Sequence, residues 1–160
     1  MTREADQDEV ILGIMQCLRR IIKSLQNYSQ NVYSHFGITG PQLWVIKTIY
    51  QDGSLPLGEL SKRMYLHPST LTAAVDRLEK KGYVLRNRIE KDRRVINVQL
   101  TPKGNRLAKR APKPIQGKMI YGLRKLEKDE LSLIYRSVEK LVEIMEAEKV
   151  KVTFLFDQEA

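Results

Sequence analysis

The chain has 160 residues, 42% of them apolar, and a formal net charge of +9, which together indicate one globular domain with a sizeable core. Its one cysteine, Cys17, and the lack of an apolar run near the ~20 residues of a membrane span exclude disulfide scaffolds and membrane-spanning proteins. Segment 1–9 is acidic and lacks the basic start and apolar block of a signal peptide, so we expect a cytoplasmic protein with no membrane partner.

The positive charge is confined to the middle of the chain. Over residues 54–110, Lys and Arg outnumber Asp and Glu by 14 to 5, whereas the two signs balance at 5 to 5 before this segment and at 9 to 9 after it. Phosphate neutralisation supplies much of the affinity of proteins for nucleic acid, so a basic segment between neutral ones indicates a nucleic-acid-binding protein. The alternative is a solvated basic face.

Apolar residues that recur every three or four positions predict a long amphipathic helix near each end of the chain, over 8–34 and 131–145. Both helices are longer than a small DNA-reading core requires, so their apolar stripes need another partner. A second copy of the chain is the economical choice. We therefore predict a homodimer in which 1–36 and 102–148 are dimerisation helices and 149–160 is a C-terminal tail.

The segment between these helices begins with three shorter ones. Residues 39–42 form a capping-box pattern for a helix that ends near Gly53. A short helix over 57–64 follows, and after a turn at 65–67 another helix begins with Pro68 at its first position. Two short helices joined by a tight turn predict a helix-turn-helix.

The second helix of such a pair lies in the DNA major groove with its N-terminal residues at the base edges. Small hydroxyl and methyl groups suit this approach, and an exposed arginine one turn later can reach a phosphate or a guanine. The candidate DNA contacts are Ser69, Thr70, Thr72, Ala73 and Arg77, while Leu71, Val75 and Leu78 form the inward face. The alternative is an ordinary exposed helix face whose hydroxyl groups serve as caps.

Beyond residue 83 the spacing of apolar residues changes from about four positions to two. This change predicts a β-hairpin over 84–89 and 95–100 with a charged tip at 90–94. Like charges crowded on two strands repel one another unless a polyanion accepts them, so the hairpin is interpreted as a DNA-binding wing. The candidate wing contacts are Arg88, Lys91, Arg93 and Arg94. The fold class is therefore mainly α with a small β-hairpin wing, and 37–101 is a winged helix-turn-helix lobe.

Beyond the hairpin, Thr101 and Pro102 supply a cap and a first-turn proline for a fifth helix, which Pro112 and Pro114 must kink or interrupt. The sequence shows no nucleophile with its base, no paired carboxylates and no phosphate loop, so neither an enzyme nor a cofactor is predicted. With two histidines in the chain no metal site is predicted either, and His67 is expected to be a cap or a phosphate contact.

Several motifs together resemble the multiple-antibiotic-resistance regulator (MarR) family. They are Thr39-Gly40-Pro41-Gln42, Ser69-Thr70-Leu71-Thr72, the run from Val75 to Gly82, Asp92-Arg93-Arg94, and Leu100-Thr101-Pro102-Lys103-Gly104. The resemblance implies a dimeric winged helix-turn-helix regulator that binds double-stranded DNA, usually a repressor, whose DNA affinity changes with a small ligand or an oxidant. It also implies that Ser69, Thr72 and Arg77 occupy recognition-helix positions and that Arg94 enters the minor groove.

The resemblance further places a ligand pocket between the first, second and fifth helices and the DNA-reading lobe. The expected lining is Tyr28, His35, Trp44 and Arg86, which offers flat stacking surface and a cationic group for a small aromatic or phenolic ligand. Each residue also has an alternative role, since Trp44 on an apolar helix suits the core and Arg86 can pair with an acidic neighbour.

Two alternative functions stay open. Thiol-based sensors of the family carry their cysteine about two positions earlier on the first helix, which turns it to nearly the opposite face, so redox sensing through Cys17 is a secondary hypothesis. An architectural nucleic-acid-binding protein without a ligand is the other, because winged helices can bind through backbone contacts alone.

Overall fold

The computed structural model describes residues 2–89 and 92–151. Within them, seven helices surround a three-stranded antiparallel sheet of order β1-β3-β2. The elements are α1 (Thr2–Phe36), α2 (Gly40–Asp52), β1 (Leu55–Pro56), α3 (Leu57–Arg63), α4 (Pro68–Lys80), β2 (Val84–Ile89), β3 (Asp92–Leu100), α5 (Pro102–Arg110), α6 (Ile115–Leu123) and α7 (Lys128–Ile144). The prediction of a mainly α fold with a small wing is confirmed.

The capping box that opens α2 is formed as predicted. Thr39 Oγ1 accepts a hydrogen bond from the backbone N–H of Gln42 at 3.3 Å, and Gln42 Oε1 accepts one from the N–H of Thr39 at 3.2 Å. Both side chains are buried, so these reciprocal bonds satisfy two donors that would otherwise lie unpaired in the core. Gly53 ends the helix at φ 81°, a conformation that favours glycine.

The helix-turn-helix consists of α3, a turn and α4. Tyr65 in the turn adopts φ 54°. His67 caps α4, because its Nδ1 accepts a hydrogen bond from the N–H of Ser69 at 3.4 Å, and Pro68 occupies the first turn as predicted. The predicted inward face is also correct, since Leu71, Val75 and Leu78 are fully buried.

The hairpin strands β2 and β3 pair from Val84–Leu100 to Arg88–Ile96, and the register shifts after Arg88. A third strand, β1, was not predicted from the sequence; it pairs Leu55 with Val98 and Pro56 with Asn97. Two residues are too few to show a period-two pattern. The strand lies at the sheet edge, where a proline costs no ladder hydrogen bond.

The predicted interruption of the fifth helix is confirmed, because α5 ends at Arg110 and α6 begins at Ile115. Thr101 caps α5 by accepting a hydrogen bond from the N–H of Gly104 at 3.1 Å. Leu107 and Ala108 of α5 belong to one buried cluster with the core residues of α2, α3, α4 and the sheet. The first half of the predicted fifth helix therefore packs on the winged lobe.

The long terminal helices, by contrast, leave apolar stripes uncovered. In α7 no side chain is buried, and Val138 and Met145, which caps this helix, are 53% and 73% exposed. In α1, Val10 and Ile21 are 57% and 55% exposed. None of the described helices is both long and apolar enough to cross a membrane. The alternating residues of the tail from 152 onward lie outside the described residues.

A side chain at Gly104 would collide with the backbone of Tyr83. A Cβ there would lie 2.1 Å from the carbonyl oxygen of Tyr83, which already accepts a hydrogen bond from the N–H of Thr101. We predict that Gly104→Ala lowers the free energy of unfolding by about 1–3 kcal/mol, because the backbone of two elements must move apart. Urea denaturation measures the change.

Gly58→Ala in α3 is the matched control, because nothing lies within 4 Å of its added Cβ. This variant should be as stable as the wild type or up to about 1 kcal/mol more stable, since alanine favours helix. Equal unfolding free energies for the two variants would contradict the steric explanation.

Candidate nucleic-acid interface

The N-terminal half of α4 carries the four small residues that were predicted to contact DNA. Ser69 and Ala73 are exposed, whereas Thr70 and Thr72 are half-buried. Ser69 Oγ lies 2.8 Å from His67 Nδ1, and Thr72 Oγ1 donates to the carbonyl oxygen of Pro68 at 2.8 Å. These local bonds fix the rotamers of the hydroxyl groups, so the surface is preorganised.

Arg77 is placed differently from the expectation. It is half-buried rather than exposed as expected, and it interacts with other residues of the chain. Its role as a DNA contact stays a prediction. Arg77 lies one residue before the buried Leu78 and one after Asp76, at the boundary between the core face and the outer face of the helix. Periodicity alone assigns such boundary positions poorly.

Of the predicted wing contacts, Arg88 on β2 is exposed. Lys91 lies outside the described residues, and so do the side chains of Arg93 and Arg94, although their backbone belongs to β3. The hypotheses about these three residues stay predictions.

An ion-pair cluster ties the wing to the recognition helix. Arg86 on β2 places Nη1 2.7 Å from Glu79 Oε2 and Nη2 2.6 Å from Asp76 Oδ1, and its backbone N–H donates to Glu79 Oε1 at 3.3 Å. The Arg86 side chain is 22% exposed, so these charge-assisted bonds are partly shielded from water. The arginine therefore sets the angle between β2 and α4, the alternative role that the sequence analysis gave it.

The four predicted ligand contacts lie in different surroundings in the described part of the chain. Tyr28 is half-buried against Gly40, and burial raises the pKa of its phenol to about 12. His35 lines a cleft beside α5, Trp44 lines a different cleft beside α6, and Arg86 is engaged with α4. The hypothesis that these four residues line a ligand pocket stays a prediction.

The cleft that contains Trp44, which we call the α2–α6 cleft, has a volume of about 520 Å³. It is lined by Trp44, Lys47, Thr48, Gln51, Lys113, Pro114, Gly117, Lys118 and Tyr121. Burial and the neighbouring charge of Lys113 lower the pKa of Lys47. The three lysines were not predicted as ligand contacts, because they come from separate segments that only the fold brings together.

Two remaining candidates are placed as follows. Cys17 is exposed on α1, so its side chain is not part of the core in this single chain. His67 is the N-cap of α4, as expected. Within residues 2–89 and 92–151, no three His, Cys, Asp or Glu side chains are grouped so that they could hold a metal ion.

Comparison with known proteins decides the family. A family model described as the MarR family matches residues 38–96, which include α2, α3, α4, β2 and part of β3. The HTH-type transcriptional regulator YcgE of Bacillus subtilis is 30% identical over 149 residues, which cover 92% of this chain and 96% of YcgE. The chain belongs to the MarR family.

Other MarR-family similarities agree with this assignment. The HTH-type transcriptional repressor MdtR of Bacillus subtilis is 34% identical over 98 residues, which cover 61% of this chain and 63% of MdtR. The crystal structure of Streptococcus pneumoniae FabT in complex with DNA is 25% identical, with a TM-score of 0.53, and the match covers 87% of this chain and 99% of that chain. MdtR is named as a transcriptional repressor and YcgE as a transcriptional regulator.

The Arg86 cluster gives a test of how the MarR-type lobe holds its wing. We predict a coupling free energy of about 1 kcal/mol between Arg86→Gln and Glu79→Gln in a double-mutant cycle of unfolding, because the pair is partly shielded from water. The exposed pair Arg63–Glu59, with a Nε to Oε1 distance of 3.1 Å, is the control and should couple more weakly. Equal coupling in the two cycles would mean that Arg86 does not position the wing.

Proposed function

We propose that this protein is a dimeric transcription regulator, a repressor, that binds specific double-stranded DNA sequences in the cytoplasm and whose DNA affinity is altered by a small ligand. The observation that carries the proposal is the surface formed by the exposed start of α4 and the exposed Arg88 of β2, held in fixed relation by Arg86. The DNA complex of FabT and the name of MdtR as a repressor support it.

The electrostatics of this surface favour a polyanion. The N-terminus of α4 carries the positive end of the helix dipole, which attracts phosphate groups. Asp76 and Glu79 on the same helix would repel DNA, but both are paired with Arg86. Arg86 therefore offsets one of these two negative charges, and Arg88 adds an exposed cation on the same strand.

A dimer explains the uncovered stripes of α1 and α7. Soluble monomers rarely expose contiguous apolar patches above a few hundred Å². The exposed residues Ile134, Val138 and Met145 follow one another at helical spacing along one side of α7, as Ile14 and Ile21 do along α1. We infer that these stripes pack against their counterparts in a second copy, which spaces two recognition helices for two half-sites.

The α2–α6 cleft is the proposed ligand site. Burial and the neighbouring charge of Lys113 lower the pKa of Lys47, and an anionic group beside Lys47 would favour its charged form. Trp44 and Tyr121 in the same cleft offer flat surface for a ring. These features suit an aromatic acid, which agrees with the predicted ligand class, and Trp44 is one of the predicted contacts.

The walls of this cleft are connected to the DNA-reading elements. One wall is α2, which packs against α4. The other is α6, and Arg124 directly after α6 donates from Nη2 to the hydroxyl oxygen of Tyr65 at 3.1 Å, in the turn between α3 and α4. A ligand that separates α6 from α2 would therefore change the support of the recognition helix at two points.

DNA binding can be tested through its salt dependence on an operator selected from a random duplex library. If a dimer neutralises about six to ten phosphates, log affinity should fall with log salt at a slope near −5 to −9. Arg88→Gln should make this slope shallower by about 2, because two copies each lose a phosphate contact. Lys128→Gln on α7 removes the same charge and should leave the slope unchanged. A wild-type slope shallower than about −2 would refute the proposed interface.

The dimer can be tested by sedimentation. Leu141→Glu combined with Met145→Glu should convert a micromolar dimer into a monomer and abolish specific DNA binding, because four charges would be buried in one interface. Arg136→Glu is the control and should remain dimeric, because Arg136 is exposed and lies on nearly the opposite side of α7 from Leu141 and Met145. A wild-type protein that sediments as a monomer at micromolar concentration would contradict the proposal.

Ligand binding can be followed through Trp44, which is the chain's single tryptophan. We predict that 4-hydroxybenzoate changes Trp44 fluorescence and weakens operator binding, whereas the uncharged 4-hydroxybenzyl alcohol does neither. Lys47→Gln should weaken binding of the acid about tenfold, since a charge-assisted hydrogen bond is lost. Lys140→Gln on α7 should not change it. If acid and alcohol bind equally well, the lysines are not the anion site.

A further inference from the structure

A second cleft is lined by cations from the most basic run of the sequence. Residues 93–126 contain ten Lys and Arg residues and no Asp or Glu. Four of the ten, Lys103, Arg106, Lys109 and Arg110, lie on α5 and line a cleft of about 440 Å³ together with Phe36 at the end of α1 and Tyr83 before β2. We call it the α1–α5 cleft. It shares no lining residue with the α2–α6 cleft.

Two neighbouring lysines have structural roles. Lys103 Nζ donates to the carbonyl oxygen of Lys81 at 2.7 Å and lies 4.5 Å from the centre of the Tyr83 ring. Lys81 Nζ in turn donates to the carbonyl oxygen of Gly37 at 3.1 Å. Both cations thus satisfy carbonyl groups at or just after the C-terminal ends of α4 and α1, where positive charge is favourable.

The other cations of the cleft are not explained in this way. Among the ion pairs formed within residues 2–89 and 92–151, none involves Arg106, Lys109 or Arg110, and no acidic side chain lines the cleft. Lys103, Arg106 and Arg110 follow one another at spacings of three and four, so they share one face of α5 over roughly 10 Å. Such a row of like charges is destabilising unless an anion binds to it.

The cleft is also remote from the proposed DNA interface. It adjoins Tyr83, which follows the C-terminal end of α4, whereas Ser69 and Ala73 lie in the N-terminal half of that helix. The 13 residues of α4 span roughly 20 Å. The cleft is lined by aromatic rings and cations, and its volume is typical of small-molecule sites. It therefore fits a compact ligand better than a duplex.

We propose that the α1–α5 cleft binds a small phosphate ester that carries several negative charges and a flat ring, the chemistry of a nucleoside di- or triphosphate. The arginines Arg106 and Arg110 bind the phosphate oxygens, for which the guanidinium fork is suited. The ring lies against Phe36 and Tyr83. This site goes beyond the proposed function and does not depend on DNA binding.

Isothermal titration of the full-length protein tests the site with ATP, ADP, inorganic pyrophosphate and adenosine as probes. ATP and ADP should bind, pyrophosphate should bind more weakly because it lacks the ring, and adenosine should not bind. Arg106→Gln with Arg110→Gln should weaken ADP binding at least about tenfold, the loss expected for one charge-assisted contact. Lys113→Gln with Lys118→Gln, which removes the same charge from the α2–α6 cleft, should leave ADP affinity unchanged.

Three results would overturn the proposal. One is equal weakening of ADP binding by the two double variants, which would indicate a non-specific effect of net charge. Another is a shallower salt slope of DNA binding for Arg106→Gln with Arg110→Gln, which would make the cleft a DNA contact surface. The last comes from amide NMR spectra of the wild type, which test the site even if the variant fails to fold. ADP should shift the signals of residues 35–36, 83 and 103–110. Shifts of other residues instead would place the site elsewhere.

Discussion

Burial of the inner face of α4 is the constraint on which the rest of this structure depends. Leu71, Val75 and Leu78 are fully buried, and removing each such side chain from water contributes about 1.5–3 kcal/mol. Because these residues fix the rotation of the helix about its axis, they also fix which residues face outward. The exposed positions of Ser69 and Ala73 follow from the core contact, so the proposed reading surface is a by-product of packing.

The wing needs a separate device, because a two-stranded hairpin has little stability of its own. Two features provide it here. The short strand β1 pairs with β3 and adds an edge to the sheet, and Arg86 connects β2 to Asp76 and Glu79 of α4. Hydrophobic burial orients the helix, and a partly shielded ion-pair cluster then orients the wing relative to it. The same cluster offsets one of the two negative charges of Asp76 and Glu79.

Most of this architecture could be predicted from the sequence, because its signals are local. Capping residues such as Thr39 and Thr101, and the prolines that separate α5 from α6, act within a few positions of where they stand. The two-residue β1 and the half-buried Arg77 could not be predicted, because each depends on neighbours from distant segments. The candidate ligand site could not be predicted either, because Lys47 and Lys113 come close together only after α2 and α6 have packed.

The cations that form no ion pair among the described residues are informative about function. Where a cation has a structural task in this chain, its partner is visible: Arg86 has two carboxylates, and Lys81 and Lys103 have carbonyl oxygens at helix ends. The lysines of the α2–α6 cleft and the arginines of the α1–α5 cleft form no ion pair among the described residues. Clustered cations cost stability when nothing neutralises them, and these clusters line concave surfaces with aromatic rings. Relief of the repulsion in the unbound protein would therefore contribute to the binding free energy of an anionic ligand.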